Sequence, residues 1–143
     1  MYGIGSVGPA QRMANSGVRP AFMAGGEMAR ILVVDDNEII RDIVAKALIE
    51  VGHEVQEACN GLEALEMIQV VAPDLLITDL DMPVMGGREL MWHIEREYLD
   101  MTVAIMTAGV ADGCCSVPVF QKPFDMDELL AAVEDLLSRP MLI

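Results

Sequence analysis

The chain has 143 residues, 53% of them hydrophobic, and its 23 acidic residues outnumber nine lysines and arginines to give a formal net charge of −14. This length suits one domain with a single core, and no apolar stretch approaches the roughly 18 residues that a membrane helix needs. We therefore expect no membrane insertion. An acidic surface repels the phosphate backbone of nucleic acids, so we also expect no direct nucleic-acid binding.

The N-terminal segment differs in composition from the rest of the chain. Residues 1–27 hold six of the twelve glycines, show no hydrophobic periodicity, and lack the apolar stretch of a secretory signal. We predict a flexible tail over residues 1–27 and one domain over residues 28–143. Because two of the nine basic residues and one of the 23 acids lie in the tail, the domain carries a net charge of −15.

The three cysteines, Cys59, Cys114 and Cys115, are an odd number without the spacing of a disulfide framework or of a metal site. Free thiols of this kind are typical of a reducing compartment. We therefore expect a cytoplasmic protein, with Cys114 and Cys115 as free thiols in a loop.

After residue 28, short apolar runs alternate with helical patterns. The predicted strands, in chain order, are "RILVVDD", "HEVQEA", "DLLITD", "TVAIMTA" and "VPVFQ". Helices are predicted from Asn37 to Val51, from Asn60 to Ala72, after Gly86-Gly87, and from Asp125 onward. The side chains predicted to face the core from these helices are Ile40, Ile43, Val44, Ala47, Leu48, Leu62, Leu65, Ile68, Leu90, Met91, Ile94, Tyr98, Leu129, Val133, Leu136 and Leu137.

Strands that alternate with helices indicate an α/β fold, a doubly wound parallel sheet with helices on both faces. The pattern leaves two strand orders open, 2-1-3-4-5 and a Rossmann-type order. No G-x-G-x-x-G motif follows the first strand, where the turn is instead Asp35-Asp36-Asn37-Glu38. Those acids would repel a pyrophosphate, so dinucleotide binding is disfavoured.

Polar residues end most of the predicted strands. The first strand ends in Asp35 and Asp36, the third in Asp79, the fourth in Thr107 and the fifth in Lys122. Ligands of parallel sheets bind beyond these carboxyl ends, and in the 2-1-3-4-5 order the three acids would meet. Carboxylates about 5 Å apart repel by roughly 3 kcal/mol at an effective dielectric near 20, which a hard cation such as Mg²⁺ relieves. These residues suit phosphoryl transfer to Asp79 as nucleophile.

Four segments, "LVVDD", "LLITDLDMPVMGG", "IMTA" and "QKPF", resemble in order and spacing the signature segments of the response-regulator receiver domain of two-component signalling. The resemblance extends from Arg30 to Leu137 and implies a five-stranded flavodoxin-like sheet in the order 2-1-3-4-5. It also implies that the protein is a signalling receiver, not an enzyme in the usual sense, although it assists its own phosphorylation and dephosphorylation.

The resemblance assigns the metal ligands and the phosphoacceptor. It implies that Asp79 is the phosphoacceptor and, with Asp36, a direct Mg²⁺ ligand. Asp35 would reach the metal through water, and the backbone carbonyl of Asp81 would be the third protein ligand. Gly87 falls on the turn glycine before the third helix.

The resemblance also assigns the residues around the phosphoryl group. The Thr107 hydroxyl would bond a phosphoryl oxygen, the small Ala108 would leave access, and Lys122 would pair with the phosphoryl group. The Lys122-Pro123 bond is similar to one that is cis in this family. The implied donor is a sensor histidine kinase or a histidine phosphotransfer protein, and a stand-alone receiver would signal to an unidentified downstream protein or pass the phosphate on.

Two features depart from the family pattern. Only 14 residues separate Thr107 from Lys122, so we expect the fourth crossover helix, between the fourth and fifth strands, to be short or absent. Val119 stands where the family usually has an aromatic residue that turns inward on activation. Phe120 is not a simple replacement, because adjacent residues of a strand face opposite sides.

Two other functions fit part of the sequence. The D-x-D of "TDLDMP" is also found in haloacid-dehalogenase-like phosphatases, but there it lies on the first strand, whereas here it follows the third. A receiver-like docking module that no longer switches is the second alternative, since fold alone does not fix function. His53 and His93 lie at no strand end and are interpreted as structural.

Overall fold

The computed structural model describes residues 28–98, 100–109 and 117–138. In these residues five strands alternate with four helices. The strands are β1 (Arg30–Val34), β2 (Glu54–Ala58), β3 (Leu75–Asp79), β4 (Thr102–Thr107) and β5 (Val119–Gln121). The helices are α1 (Glu38–Glu50), α2 (Gly61–Val70), α3 (Gly87–Glu97) and α4 (Met126–Ser138).

All five strands are parallel and form one sheet in the order β2-β1-β3-β4-β5. This is the predicted 2-1-3-4-5 order, which is therefore confirmed. Every residue of β3 is buried, because a central strand covered by helices on both faces has no solvent side. The run "LLIT", apolar except for the buried Thr78, has the composition that such a position requires.

The sheet separates two apolar cores. Alternate residues of β1 face opposite sides, as the pleat requires: Ile31 and Val33 belong to the core under α1 and α4, and Leu32 and Val34 to the core under α2 and α3. The carboxyl ends of the strands lie between these helical layers, and the acids that follow the strands are fixed there by apolar packing on both faces.

The helix boundaries follow the capping residues predicted from the sequence. The Asn37 side chain accepts hydrogen bonds from the first-turn N–H groups of α1, and Gly52 ends that helix with a φ of 104°. Asn60 accepts from Glu63 N–H at 2.8 Å, while the Glu63 carboxylate accepts from Cys59 N–H at 2.7 Å. These side chains replace the partners that terminal amides lack within a helix.

For two residues, the prediction that the side chain faces the core is wrong. Ile43 of α1 is 51% exposed and Leu62 of α2 is 44% exposed. Ile43 lies next to the buried Val44, and Leu62 lies three residues before the buried Leu65, so both are at the margin of an apolar stripe. In α2 the buried positions include the small residues Gly61 and Ala64, because this helix lies close to the turn at Met85, where a Cβ on Gly61 would come within 2.7 Å of the carbonyl oxygen.

Several predictions fall on residues that the structure does not describe. They are the flexible tail over residues 1–27, the short or absent fourth crossover helix, and the loop position of Cys114 and Cys115. These stay predictions. Within the described ranges, none of the helices combines the length and the apolar character needed to cross a membrane.

Candidate functional site

The ends of β1 and β3 bring three acids together at one edge of the sheet. Side-chain oxygens of Asp35, Asp36 and Asp79 all lie within 4.8 Å of one another. The ammonium group of Lys122, which follows β5, lies 2.6 Å from Asp35 Oδ2 and 3.3 Å from Asp79 Oδ2. One positive charge thus faces three carboxylates, and the cluster retains an excess of negative charge.

Asp79 is the last residue of β3 and is only 6% exposed. Its Oδ1 accepts a hydrogen bond from Asp81 N–H at 3.3 Å. Burial raises the pKa of the Asp79 carboxyl group; the charge of Lys122 opposes this increase and that of Asp35 adds to it. For Lys122, burial lowers the pKa, but hydrogen bonds and charges from Asp35 and Asp79 outweigh burial, so its pKa is raised.

The other two acids have different surroundings. Asp35 is fully buried, and besides Lys122 it accepts a hydrogen bond from Asn37 N–H at 2.9 Å on Oδ1. Asp36 is exposed, and among the described residues its side chain has no hydrogen-bonding or ion-pair partner. The Asp36 oxygens are therefore free to bind a cation directly, whereas those of Asp35 are already engaged.

Arg41 of α1 supports the acid-bearing turn, a role that the sequence reasoning missed. Its guanidinium donates to the Asp35 carbonyl at 2.8 Å and to Glu57 at 3.0 Å. The available signal was a single arginine one helical turn after an acid pair, which is too common to interpret alone. Its partner Glu57 lies 16 residues away, on β2.

Two positions in the turn between β3 and α3 restrict which residue can occupy them. A Cβ on Gly87 would collide with the Asp79 carbonyl oxygen, so glycine is needed at this predicted turn position. Val84 has a φ of 70°, which is unusual for a β-branched residue. The Asp81 side chain is exposed beside the pocket, and its Oδ2 lies 3.1 Å from where a Cβ would sit on Gly109.

Thr107 is the last residue of β4 and is fully buried, at the same end of the sheet as the three acids. Its hydroxyl oxygen accepts from Gly109 N–H at 3.0 Å, and its carbonyl accepts from Lys122 N–H at 2.7 Å. Ala108 is exposed. Gln121, which the sequence analysis did not select, donates from Nε2 to the Gly109 carbonyl at 3.1 Å.

The side chains of adjacent residues in β5 point to opposite faces of the sheet, as expected. Val119 is 40% exposed, whereas Phe120 packs against the core under α1 and α4, its ring 6.5 Å from that of Phe124. The Lys122-Pro123 bond is cis, as the resemblance implied.

Neither histidine lies in the acidic pocket. His53 is buried; its Nδ1 accepts from Ala29 N–H at 3.1 Å and its Nε2 lies 2.7 Å from Glu134 Oε2. The ring of His93 contacts that of Trp92 edge-on, with the centroids 5.0 Å apart.

Comparison with known proteins agrees with this geometry. Residues 31–134 match the response regulator receiver domain family. The response regulator MprA of Mycobacterium ulcerans is 35% identical over 120 residues, which cover 79% of this chain and 52% of that protein. The chain therefore spans about half the length of the curated relatives it matches.

Solved structures give the same result. A CheY-like receiver domain protein from Methanospirillum hungatei superposes with a TM-score of 0.73 at 26% identity, covering 77% of this chain and 94% of that one. TrrA of Thermotoga maritima, crystallised in complex with Mg(2+)-BeF, has a TM-score of 0.69 at 34% identity, with 75% and 97% covered. The chain belongs to the response regulator receiver domain family, a family of two-component signalling proteins.

Proposed function

We propose that the receiver domain of residues 28–143 accepts a phosphoryl group on Asp79 from a phosphohistidine of a sensor histidine kinase or a histidine phosphotransfer protein. The observation that carries this proposal is the position of Asp79: a buried carboxylate at the end of the central strand, 3.3 Å from the Lys122 ammonium and close to two further acids. A buried carboxylate is costly unless it is paired, and Asp79 shares the single charge of Lys122 with Asp35.

Asp79 has the properties of a nucleophile for phosphorus. Its raised pKa makes the ionised carboxylate more basic than an exposed one, and Lys122 and the Asp81 N–H hold its two oxygens in place. Attack on phosphorus forms an acyl phosphate on Asp79, and the bond from phosphorus to the donor histidine nitrogen breaks. Lys122 can then pair with a phosphoryl oxygen.

The three acids fit a magnesium ion. All are hard oxygen donors, which Mg²⁺ prefers, and their charge exceeds that of Lys122. Asp36, whose side chain has no partner among the described residues, would bind the ion directly with Asp79 and the Asp81 carbonyl, and Asp35 would act through water. Bound magnesium would neutralise the carboxylates and bind phosphoryl oxygens.

Thr107 and Ala108 complete the proposed pocket. The Thr107 oxygen accepts the Gly109 N–H, so its own proton remains available to a phosphoryl oxygen. Ala108 is small and exposed, which leaves room for an incoming donor. In the proposed scheme, phosphorylated receiver acts on an unidentified downstream protein or passes the phosphoryl group onward, in the cytoplasm, without binding nucleic acid directly.

Of the two alternatives, the phosphatase has no support from the geometry, since the D-x-D begins at the end of the third strand of a receiver sheet and not of the first. The non-switching docking module differs from the proposal in its chemistry. Such a module would take up no phosphoryl group, so one experiment separates it from a working receiver.

The test is the intact mass of the full chain after incubation with Mg²⁺ and acetyl phosphate. We expect a gain of one phosphoryl group that disappears when Mg²⁺ is chelated and is absent from Asp79→Asn. Asp100→Asn, which changes an exposed acid outside the pocket, is the matched control and should be phosphorylated like the wild type. If neither acetyl phosphate nor a panel of phosphorylated histidine donors produces a gain, the docking module is the better description.

A further inference from the structure

A continuous hydrogen-bonded path leads from the buried pocket to the edge of the sheet. It begins at the Thr107 hydroxyl, which accepts from Gly109 N–H at 3.0 Å, and continues from the Gly109 carbonyl, which accepts from Gln121 Nε2 at 3.1 Å. Thr107 is fully buried, whereas Gln121 is exposed on β5, the edge strand. The two backbone groups of one glycine thus join a pocket side chain to a surface side chain.

The Thr107 side chain can move while its backbone stays fixed. Its carbonyl accepts from Lys122 N–H at 2.7 Å, which ties the end of β4 to β5. Rotation of the side chain is the remaining freedom. If the hydroxyl turns toward a phosphoryl group on Asp79, the partly buried Gly109 N–H must follow the hydroxyl or exchange this acceptor for another.

Gly109 lies between two side chains of the site. A Cβ at this position would be 3.1 Å from Asp81 Oδ2 and 3.7 Å from Thr107 Oγ1, so the backbone fits closely against both. If Gly109 follows the Thr107 hydroxyl through their 3.0 Å hydrogen bond, its carbonyl moves too, and the 3.1 Å bond from Gln121 Nε2 responds.

The fifth strand offers no aromatic route for the same signal. Val119 is aliphatic, and the Phe120 ring packs on the opposite face with Phe124, away from Thr107. Among the described residues of β5, only Gln121 has a side-chain hydrogen bond to the loop that follows Thr107.

We propose that Gln121 transmits the state of Thr107 to the exposed edge of the sheet, acting through the backbone of Gly109. In the unphosphorylated domain Gln121 holds the Gly109 carbonyl. When Thr107 turns toward the phosphoryl group, this bond is lost or lengthened and the Gln121 amide is released at the surface of β5. The inference rests on the proposed phosphorylation of Asp79 and extends its effect to the edge strand of the sheet.

The test uses the side-chain amide of Gln121 as its own reporter. Nitrogen-15-labelled full chain is phosphorylated with Mg²⁺ and acetyl phosphate, the occupancy is set by intact mass, and two-dimensional NMR spectra are compared. The Gln121 NH₂ pair should shift by several linewidths, while that of Gln56, an exposed glutamine on β2, stays in place. Gln121→Leu identifies the signal pair.

Two variants of the pocket decide whether the coupling passes through the hydroxyl. At equal phosphoryl occupancy, Thr107→Val should abolish the Gln121 shift, and Thr107→Ser, which keeps the hydroxyl, should retain it. A phosphorylated wild type with an unmoved Gln121, or an equal shift in Thr107→Val, would overturn the coupling and leave the phosphoacceptor role intact. Failure of the wild type to gain mass both with acetyl phosphate and with the phosphorylated histidine donors would overturn the phosphoacceptor role, and the coupling with it.

Discussion

At the scale of single residues, the turn after β3 contains a backbone conformation that its residue disfavours. Val84 has a φ of 70°, and its side chain is 75% exposed. The left-handed region costs an L-residue about 1–2 kcal/mol, and the penalty is greatest for β-branched residues, whereas asparagine tolerates it. The Val84 side chain is mostly in solvent, so little burial offsets this cost.

We therefore expect Val84→Asn to stabilise the domain by about 1 kcal/mol, because it relieves the strain and removes little packing. Chemical denaturation measures the difference in unfolding free energy. Val70→Asn is the matched control, since Val70 is also 75% exposed but lies at the end of α2 with an ordinary φ. Equal effects of the two substitutions would show that the backbone conformation of Val84 is not the cause.

At the scale of secondary-structure elements, a buried histidine connects three parts of the fold. His53 lies between α1 and β2, accepts from Ala29 N–H before β1, and pairs through Nε2 with Glu134 of α4. Because Nδ1 accepts the amide hydrogen, Nε2 carries the ring proton that is shared with Glu134. The ring thus fixes α4 against the amino end of the sheet.

His53→Ala should lower the unfolding free energy by about 2 kcal/mol, since it leaves the buried Ala29 N–H without an acceptor and removes the bond to Glu134. His53→Asn should recover part of the loss, because its side-chain carbonyl can accept from Ala29 N–H. Denaturant titration of both variants, with His93→Ala as control, measures these differences. If alanine and asparagine are equally destabilising, the hydrogen bond to Ala29 contributes nothing.

At the scale of the whole molecule, the fold assembles like charges that repel one another. The 2-1-3-4-5 order makes β1 and β3 neighbours, so Asp79 meets Asp35 and Asp36 although more than 40 residues separate it from this pair along the chain. The sheet and its two cores hold these acids in place at a cost in stability. The same cost is what makes the site receptive to a cation.

Asp79→Asn should stabilise the metal-free domain by about 1 kcal/mol or more, because burial disfavours the Asp79 carboxylate and the charge of Lys122 offsets this cost only in part. The raised pKa of Asp79 means that the folded state binds a proton more tightly than the unfolded state does. The wild type therefore loses stability as the pH rises from the ordinary carboxyl pKa through that raised value. The advantage of Asp79→Asn should grow over the same interval and vanish at lower pH.

Thermal unfolding across this pH range, with and without Mg²⁺, measures both effects. At neutral pH Mg²⁺ should raise the melting temperature of the wild type more than that of Asp79→Asn. Asp100→Asn should behave as the wild type does throughout. If Asp79→Asn is less stable than the wild type without metal, the proposed cost of burying the Asp79 carboxylate is contradicted.

The sequence by itself determined the element types, their caps and the residues at the strand ends. Those features depend on local periodicity, on side chains within three or four residues of a helix start, and on motifs such as "LVVDD" and "QKPF". It also pointed to the family, since four short segments in register are specific. It overestimated the apolar faces at Ile43 and Leu62, because periodicity alone does not show how closely a helix approaches the sheet.

Only the tertiary structure decided which single polar residues support the site. Arg41 with Glu57, Gln121 with the Gly109 carbonyl, and His53 with Glu134 are pairs separated by 16, 12 and 81 residues. No local pattern distinguishes such residues from solvated surface side chains. Their partners are fixed by the strand order and the packing of α1 and α4 on the sheet, because a hydrogen bond forms only where the folded backbone brings donor and acceptor within about 3 Å.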